Sequence, residues 1–392
     1  MEYVKLKEVC TTTQGVQISK AYQISEKEED YIPYLYIADF KDTNDSKYVK
    51  NNYKEKIVTS NDLVMANTGS PGAVFKGKYG VLSNNLFKIS FDNDLYNRDF
   101  LYYYFSSDEF QNVLQGKMKG GVQKHLGHQT IGDQKIPVIS KENQDKIVKV
   151  LDKAQELMDK RKEQIELLDE LVKSKFIEMF GHPINNPMGW KVKKLNDIST
   201  KILSGNTPKG GSQVYVDDGI LFLRSQNVWK NKLELDDVAY IDQETHAKMS
   251  KSSLKNRDIL MTKTGRINTE NSSLGRAAMY VGEDDSANIN GHVYLIRLKQ
   301  DIINEFVLFI LTTNEYRDYI RRICVGGIDK RQINKEHLEE FPIIFPPTEL
   351  QNEFVDLVKQ VDKLKFEMEK SLKDLEDNFN ALMQKAFKGE LF

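Results

Sequence analysis

The sequence predicts an α+β protein in which one unit is written twice. Two mixed α/β globules, pseudo-repeats of each other, are separated by two long helices that pair as an antiparallel coiled coil. Three observations carry this expectation. One is a 40-residue stretch from 141 to 180 without Pro or Gly. Another is a second stretch of the same rhythm at the C-terminal end. The third is a set of matching landmarks ahead of each helix. The boundaries read as a first globule at 1–140, a helix at 141–181, a second globule at 182–346 and a second helix at 347–392.

The helix expectation rests on spacing. In steps of four and three, Ile147, Leu151, Ala154, Met158, Ile165, Leu168, Val172 and Met179 form one apolar stripe, interrupted at Arg161 and Lys175. So narrow and long a stripe is a coiled-coil seam rather than the broad apolar face of a globular helix. A lone seam would face water, and the chain supplies a second one. Phe354, Val358, Val361, Met368, Leu372, Leu375, Phe379, Leu382 and Ala386 repeat the pattern, with Lys365 as the polar break. Each helix is then on the order of 60 Å long at 1.5 Å per residue. Leu151, Met158, Leu168, Val172, Val361, Met368, Leu375 and Phe379 are the seam positions expected to bind partners.

The repeat is legible element by element. Unit one opens on Tyr3–Val9 and unit two on Trp190–Ile198, each an aromatic followed by a short strand-like or helix-starting run. A polar Gly-bearing loop follows, at 11–15 and 204–208, then an apolar strand, at 32–37 and 220–224. Asn61–Gly69 aligns with Arg257–Gly265, a strand ending in a Thr-Gly turn. Ser83–Ile89 aligns with Ile289–Leu295, the aromatic-rich helix Phe100–Phe105 with Phe306–Leu311, and the loop Gly120–Lys124 with Gly326–Lys330. Each unit closes on a proline-marked strand, at 135–138 and 341–344, that runs into its long helix. The breakers Pro183, Pro187 and Gly189 separate the first helix from the second unit.

Composition excludes several classes. No apolar run reaches the ~18 residues of a membrane helix, and the N-terminus lacks a signal-peptide core. Cys10 and Cys324 cannot form a disulfide framework and point to a reduced, cytoplasmic setting. Charge is close to even in the first globule, with 17 basic and 17 acidic side chains. It is +2 over 181–346 (23 against 21) and −3 over 347–392 (7 against 10). A nucleic acid would therefore meet a local patch, not a basic coat. The Gly205–Gly210 spacing looks like a P-loop, but Gly211 stands where the phosphate-binding Lys belongs. His125 and His128 have no metal-ligating neighbours in sequence, and the loops a methyltransferase needs for its methyl donor and flipped base are missing.

Both units instead share polar loops of the residue types that read base edges and hold phosphates. In unit one the candidate DNA-binding residues are Gln14, Gln17, Lys20, Asn67, Thr68, Ser70, Lys117, Lys119, Gln123 and Lys124. In unit two they are Thr207, Lys209, Arg224, Gln226, Asn227, Lys263, Thr264, Arg266, Lys330, Arg331 and Gln332. Taken singly, each is more simply read as a solvated loop residue. Their recurrence at matching places is the argument.

With Asp62-Leu63-Val64-Met65 and Thr68-Gly69, Asp258-Ile259-Leu260-Met261 and Thr264-Gly265, Pro342–Pro347 ahead of Glu349-Leu350-Gln351, and the tail Leu382–Leu391, the chain resembles the DNA-specificity subunit of type I restriction–modification systems over nearly its whole length. The first unit departs from that pattern at its helix end, Phe176–Gly181. The resemblance implies that each globule is a target-recognition domain reading half of a bipartite site in double-stranded DNA. It also implies that the helices serve as ruler and dock for two methyltransferase subunits, and that restriction subunits with ATP-driven translocation join them. The chain itself is then non-catalytic, binding no cofactor or metal, with S-adenosylmethionine, ATP and Mg on its partners. Half-sites one B-DNA turn (~34–36 Å) apart lie within reach of a ~60 Å spine.

Arg is the commonest bidentate reader of guanine. Residues 1–140 hold one Arg, Arg98, at an expected helix start, whereas 181–346 hold nine. The first unit is thus expected to read through Lys, Gln, Asn and hydroxyls, and the second through Arg, with Arg224 and Arg266 foremost. Two other readings stay open at this level. One is a helical assembly scaffold without sequence readout, and the other a self-sufficient nuclease or methyltransferase whose site is assembled from distant positions.

Overall fold

The structure, a computed structural model, describes residues 2–41, 47–118, 125–267, 269, 271–327 and 330–391. The chain divides into two compact units, residues 1–165 with 367–392, and residues 166–366, so that both long helices are shared out along their length.

In the first unit, strands Cys10–Gln14, Leu86–Phe91, Leu63–Ala66 and Val74–Lys76 form an antiparallel sheet in that order. A second sheet runs Lys47–Lys50, Tyr31–Leu35, Gly80–Leu82, Ile57–Val58, its central pair parallel. Strand Tyr3–Lys5 pairs with Lys135–Pro137, the strand that feeds the first long helix. Helices Arg98–Ser106 and Asp108–Lys117 cover the antiparallel sheet. Asn97 caps the former through its side-chain oxygen, and Ser107 caps the latter. The Asn97 cap leaves Arg98 as the first helical residue, where the sequence placed it.

The second unit repeats this plan. One sheet runs Ser199–Ser204, Val293–Leu298, Ile259–Thr262, Ala277–Met279; another runs Tyr215–Val216, Ala239–Ile241, Ile220–Leu223, Ala287–Ile289, again with one parallel pair. Lys191–Lys194 pairs with Pro342–Phe345 ahead of the second long helix. Helices Asn304–Thr312 and Asn314–Ile323 take the places of the two first-unit helices. The second helix of each pair is absent from the sequence reading. A third, three-stranded sheet joins Thr264–Gly265, Lys330–Gln332 and Val325–Gly327. Thr264-Gly265 is therefore strand where a turn was expected, because Lys330–Gln332 supplies a pairing edge.

The repeat extends to single hydrogen bonds. Gly15 N donates to Leu86 O and Gly205 N to Val293 O, both at 2.9 Å. Leu86 therefore matches Val293, not His292. The turn has the same length in both units, since Leu86 N donates to Ser83 O and Val293 N to Asn290 O, so the sequence alignment runs one residue out of register through it. Gln144 and Gln351, both buried one turn into their helices, donate to Ile139 O (2.8 Å) and Pro346 O (2.7 Å) at the strand–helix junctions. A carbonyl released by a strand end and buried there needs a donor, and the glutamine provides it.

The long helices run Lys141–Phe180 and Thr348–Lys388. In the first unit, Ile147, Val148 and Leu151 share a core with Met383, Ala386 and Phe387, and farther along Lys162 meets Glu376 at 3.5 Å, so the segments are antiparallel. In the second, Val172, Phe176 and Phe180 pack with Phe354, Val355 and Val361. Phe176 is 1% exposed, with the rings of Phe180, Phe309 and Phe354 at 5.2, 4.9 and 5.4 Å. The polar break Lys365 is answered across the seam by Asp169 at 2.7 Å. One expectation needs correcting. Leu151, Met158, Val172 and Val361 are buried, and Leu168, Met368, Leu375 and Phe379 half-buried, in seams within the chain itself. The large apolar side chains these helices leave exposed are Leu157, Leu167, Leu171, Ile177, Leu364 and Phe366.

Among the described residues, no helix is long and apolar enough to cross a membrane, and no group of three His, Cys, Asp or Glu could hold a metal. Cys10 is buried and its thiol is pushed up to about 12 by that burial, which leaves it unreactive.

Candidate nucleic-acid interface

In the second unit, backbone bonds gather segments far apart in sequence. Position 263 is the hub. Its N–H donates to His292 O (2.8 Å) and its carbonyl accepts from Ile333 N (3.0 Å). The adjoining strands set Thr264 opposite Gln332 and Gly265 opposite Arg331. Ser204 Oγ donates to Gly291 O at 3.0 Å, and Thr207 Oγ1 lies 3.4 Å from where a Cβ on Gly291 would stand. Four segments, 204–209, 290–292, 263–266 and 330–332, thus converge. Gly205 is required for this, since a Cβ there would sit 2.3 Å from Ile289 O and 2.4 Å from Asn290 O.

The first unit repeats the frame with other side chains. Asn67 is its hub: N–H to Asn85 O (2.9 Å), carbonyl from Leu126 N (3.0 Å). Gln14 Nε2 and Asn67 Nδ2 both donate to Asn84 O at 2.9 Å, and Thr68 Oγ1 donates to Asn67 Oδ1 at 3.0 Å. The loop after Gln14 is held from beneath by Tyr34, 1% exposed, whose hydroxyl donates to Val16 O (2.6 Å) and accepts from Ile18 N (3.2 Å). Gln17, Lys20 and Ser70 are left exposed. His128 leans on Phe87, ring centroids 4.4 Å apart, with Nδ1 at 2.8 Å from Thr12 Oγ1.

The sequence-derived residues divide accordingly. Thr207, Lys209, Arg266 and Lys330 are exposed; Lys263, Thr264, Arg331 and Gln332 are half-buried at the same place. Lys263 Nζ stands 5.5 Å over the Tyr294 ring, whose hydroxyl is pushed up to about 12 by burial. Arg331 donates to Cys324 O at 3.2 Å and Gln332 to Asn334 Oδ1 at 2.8 Å. Lys117 reaches Gln134 Oε1 at 3.3 Å. Lys119, Gln123 and Lys124 lie outside the described residues.

Among the expected readers that hydrogen-bond within the protein, two asparagines and the Arg224–Gln226 pair are the most fully engaged. Asn67 and Asn227, each 1% exposed, spend their amides on turn carbonyls; Asn227 Nδ2 donates to Glu234 O and Asp237 O at 2.9 and 2.7 Å. Arg224 donates to the carbonyl (2.9 Å) and carboxylate (3.0 Å) of Asp237, and Gln226 to the same carboxylate at 2.8 Å. These two donors hold the Asp237 carboxyl below the usual range. Buried amides must find partners inside the fold, and nothing in the residue type distinguishes them from solvent-facing readers. Sequence reasoning also missed Asn84, Asn290 and His292. The Asn that both turns carry, Asn84-Asn85 in one and Asn290 in the other, is the one available signal.

The domain model described as the type I restriction modification DNA specificity domain matches residues 1–167 and again 187–376. The MjaVIII specificity subunit of Methanocaldococcus jannaschii, a type I restriction enzyme subunit, is 26% identical over 358 residues, covering 88% of this chain and 82% of that one. The EcoBI specificity subunit of Escherichia coli is 23% identical, covering 93% and 81%. A chain from a study of complex assembly and conformational transition of the type I R-M system superposes with TM-score 0.65 at 19% identity, over 100% of this chain and 98% of that one. The type I S subunit of M. genitalium gives 0.52 at 14%, over 98% and 96%. With both of its units matched by that model, the chain belongs to the type I restriction–modification DNA-specificity family.

Proposed function

We propose that this chain is the DNA-reading subunit of a type I restriction–modification complex and performs no chemistry of its own. Each unit reads one half of a bipartite site in double-stranded DNA through its converging loops. The long helices carry two methyltransferase subunits, and restriction/translocase subunits join that core. S-adenosylmethionine, ATP and Mg act on those partners, in the cytoplasm. The observation that supports this reading best is the shared hub. The same pair of backbone bonds, at Asn67 and at Lys263, assembles the same segments in both units, yet the side chains they present differ. A common frame with different polar faces suits two different half-sites, because phosphate contacts fix register and side chains at base edges specify sequence.

The test is methylome sequencing of cells that express the chain with its methyltransferase, beside cells that lack it. A gapped two-part motif that vanishes with the chain is the expected result. The same motif persisting without the chain, or none appearing although the complex assembles, would turn the assignment toward a scaffold.

A further inference from the structure

The loop after the strand that leads into the hub is longer in the second unit. In the first unit, Ala66 N donates to Ala73 O and Gly72 N to Ala66 O, both at 2.8 Å. In the second, Thr262 N donates to Arg276 O at 2.8 Å and Gly275 N to Thr262 O at 3.1 Å. Gly72 and Gly275 both turn with positive φ, 95° and 69°. The frame therefore matches Ala73 with Arg276, and it encloses residues 67–71 in one unit against 263–274 in the other. The longer loop holds the strand Thr264–Gly265, which pairs with Lys330–Gln332, and it holds Arg266.

Ordering so long a loop costs chain entropy, so it needs anchors. Leu274 is buried in the core and Ile267 packs against it. Ser273 Oγ donates to Thr264 O at 2.7 Å, and Leu274 N lies 2.4 Å from where a Cβ on Gly265 would stand. The returning arm thus runs directly against the Thr264–Gly265 strand. Arg276 holds the arm at 271–272. Its Nε donates to Ser272 O at 3.1 Å, and a terminal nitrogen donates to Asn271 O. Its guanidinium carbon stands 3.7 Å from the centroid of the Trp229 ring. Trp229 Nε1 in turn donates to Gln226 O at 3.0 Å, within a turn that the buried Asn227 amide pins. A planar guanidinium can fork across two carbonyls while it rests on an aromatic ring. The alanine of the first unit can do neither.

We propose that Arg276, clamped on Trp229, is a positioning residue for readout by the second unit. It fixes the returning arm, and through that arm the strand that leads to Arg266 and pairs with Lys330–Gln332. The inference rests on the half-site reading above. The first unit, with its short loop and Ala73, reads its half-site without such a clamp.

The experiment is competition binding of the assembled complex against single-base variants of its site, well below Tm and at several salt concentrations. Arg276→Gln is expected to relax the second half-site about tenfold, with the first half-site and the salt slope unchanged. Trp229→Ala is expected to do the same, and Trp229→Phe to keep the wild-type base profile. Arg276→Gln combined with Trp229→Ala is expected to be no worse than either alone, because both break one clamp. A lowered Tm with the base profile intact would make the clamp merely structural and overturn the inference. A uniform loss over all sequences with a shallower salt slope would also overturn it, since that marks a direct phosphate contact. A wild-type complex without sequence preference would overturn the half-site reading itself.

Discussion

Arg266 and Arg224 entered the sequence reading as equals, and the structure separates them. Arg266 is exposed just beyond the strand Thr264–Gly265, whose Gly265 pairs with Arg331, whereas the Arg224 guanidinium is spent on Asp237. Arg266→Ala should leave stability within about 0.5 kcal/mol, since it removes an exposed side chain away from the core. If Arg266 reads a guanine, the variant should relax one position of the second half-site by about 1–3 kcal/mol, roughly 5- to 150-fold. Arg224→Ala should do the reverse. It strips the Asp237 carbonyl and carboxylate of their donor, and because that aspartate is 80% exposed the loss of stability should be small, with discrimination kept. The assay is competition binding of the assembled complex against single-base variants of its site at several salt concentrations, beside urea unfolding of the chain. A base contact relaxes one position and keeps the salt slope. A phosphate contact weakens all sequences alike and lowers the slope by about 0.9. Discrimination lost in Arg224→Ala and kept in Arg266→Ala would refute the reasoning.

Tyr34→Phe removes a buried hydroxyl that serves Val16 O and Ile18 N, and should cost about 1–3 kcal/mol with the urea m-value unchanged. The same variant should blur the first half-site and spare the second. Gly205→Ala drives a Cβ into two backbone carbonyls; a stability loss of roughly 1–3 kcal/mol, with the second half-site lost first, is the expected outcome in melting and binding. Asp362 has its carboxyl raised above the ordinary 3.8 by burial and by Asp169, against Lys365. A carboxyl raised on folding costs stability above its folded-state value, and that cost fades as pH falls through it. Asp362→Asn should therefore raise Tm at neutral pH, and the gain should shrink toward acid; a Tm unchanged or lowered at neutral pH would contradict it.

What the sequence disclosed follows from what is periodic or repeated. The helix Lys141–Phe180 was legible to within a residue, because forty positions without Pro or Gly carry one long apolar seam, and the loop–strand–helix order was legible from its recurrence. Side-chain assignments were less so. Asn67 and Ser70 look alike as loop residues, yet one holds a turn carbonyl and the other faces water. The hub at 67 and 263 is made of backbone bonds, which leave no mark on residue type. The alignment of 83–89 with 289–295 slips by one residue because polar turn residues carry no mark that fixes their register.

The central claim is that the loops of each unit read separate halves of one site. It is tested most directly by the methylome of a strain whose chain carries Arg266→Ala and Lys330→Ala together. The account predicts that the second half of the two-part motif relaxes while the first half and the gap between them stay as they were. A first half that changes as well, or a motif altered in neither half, would contradict it.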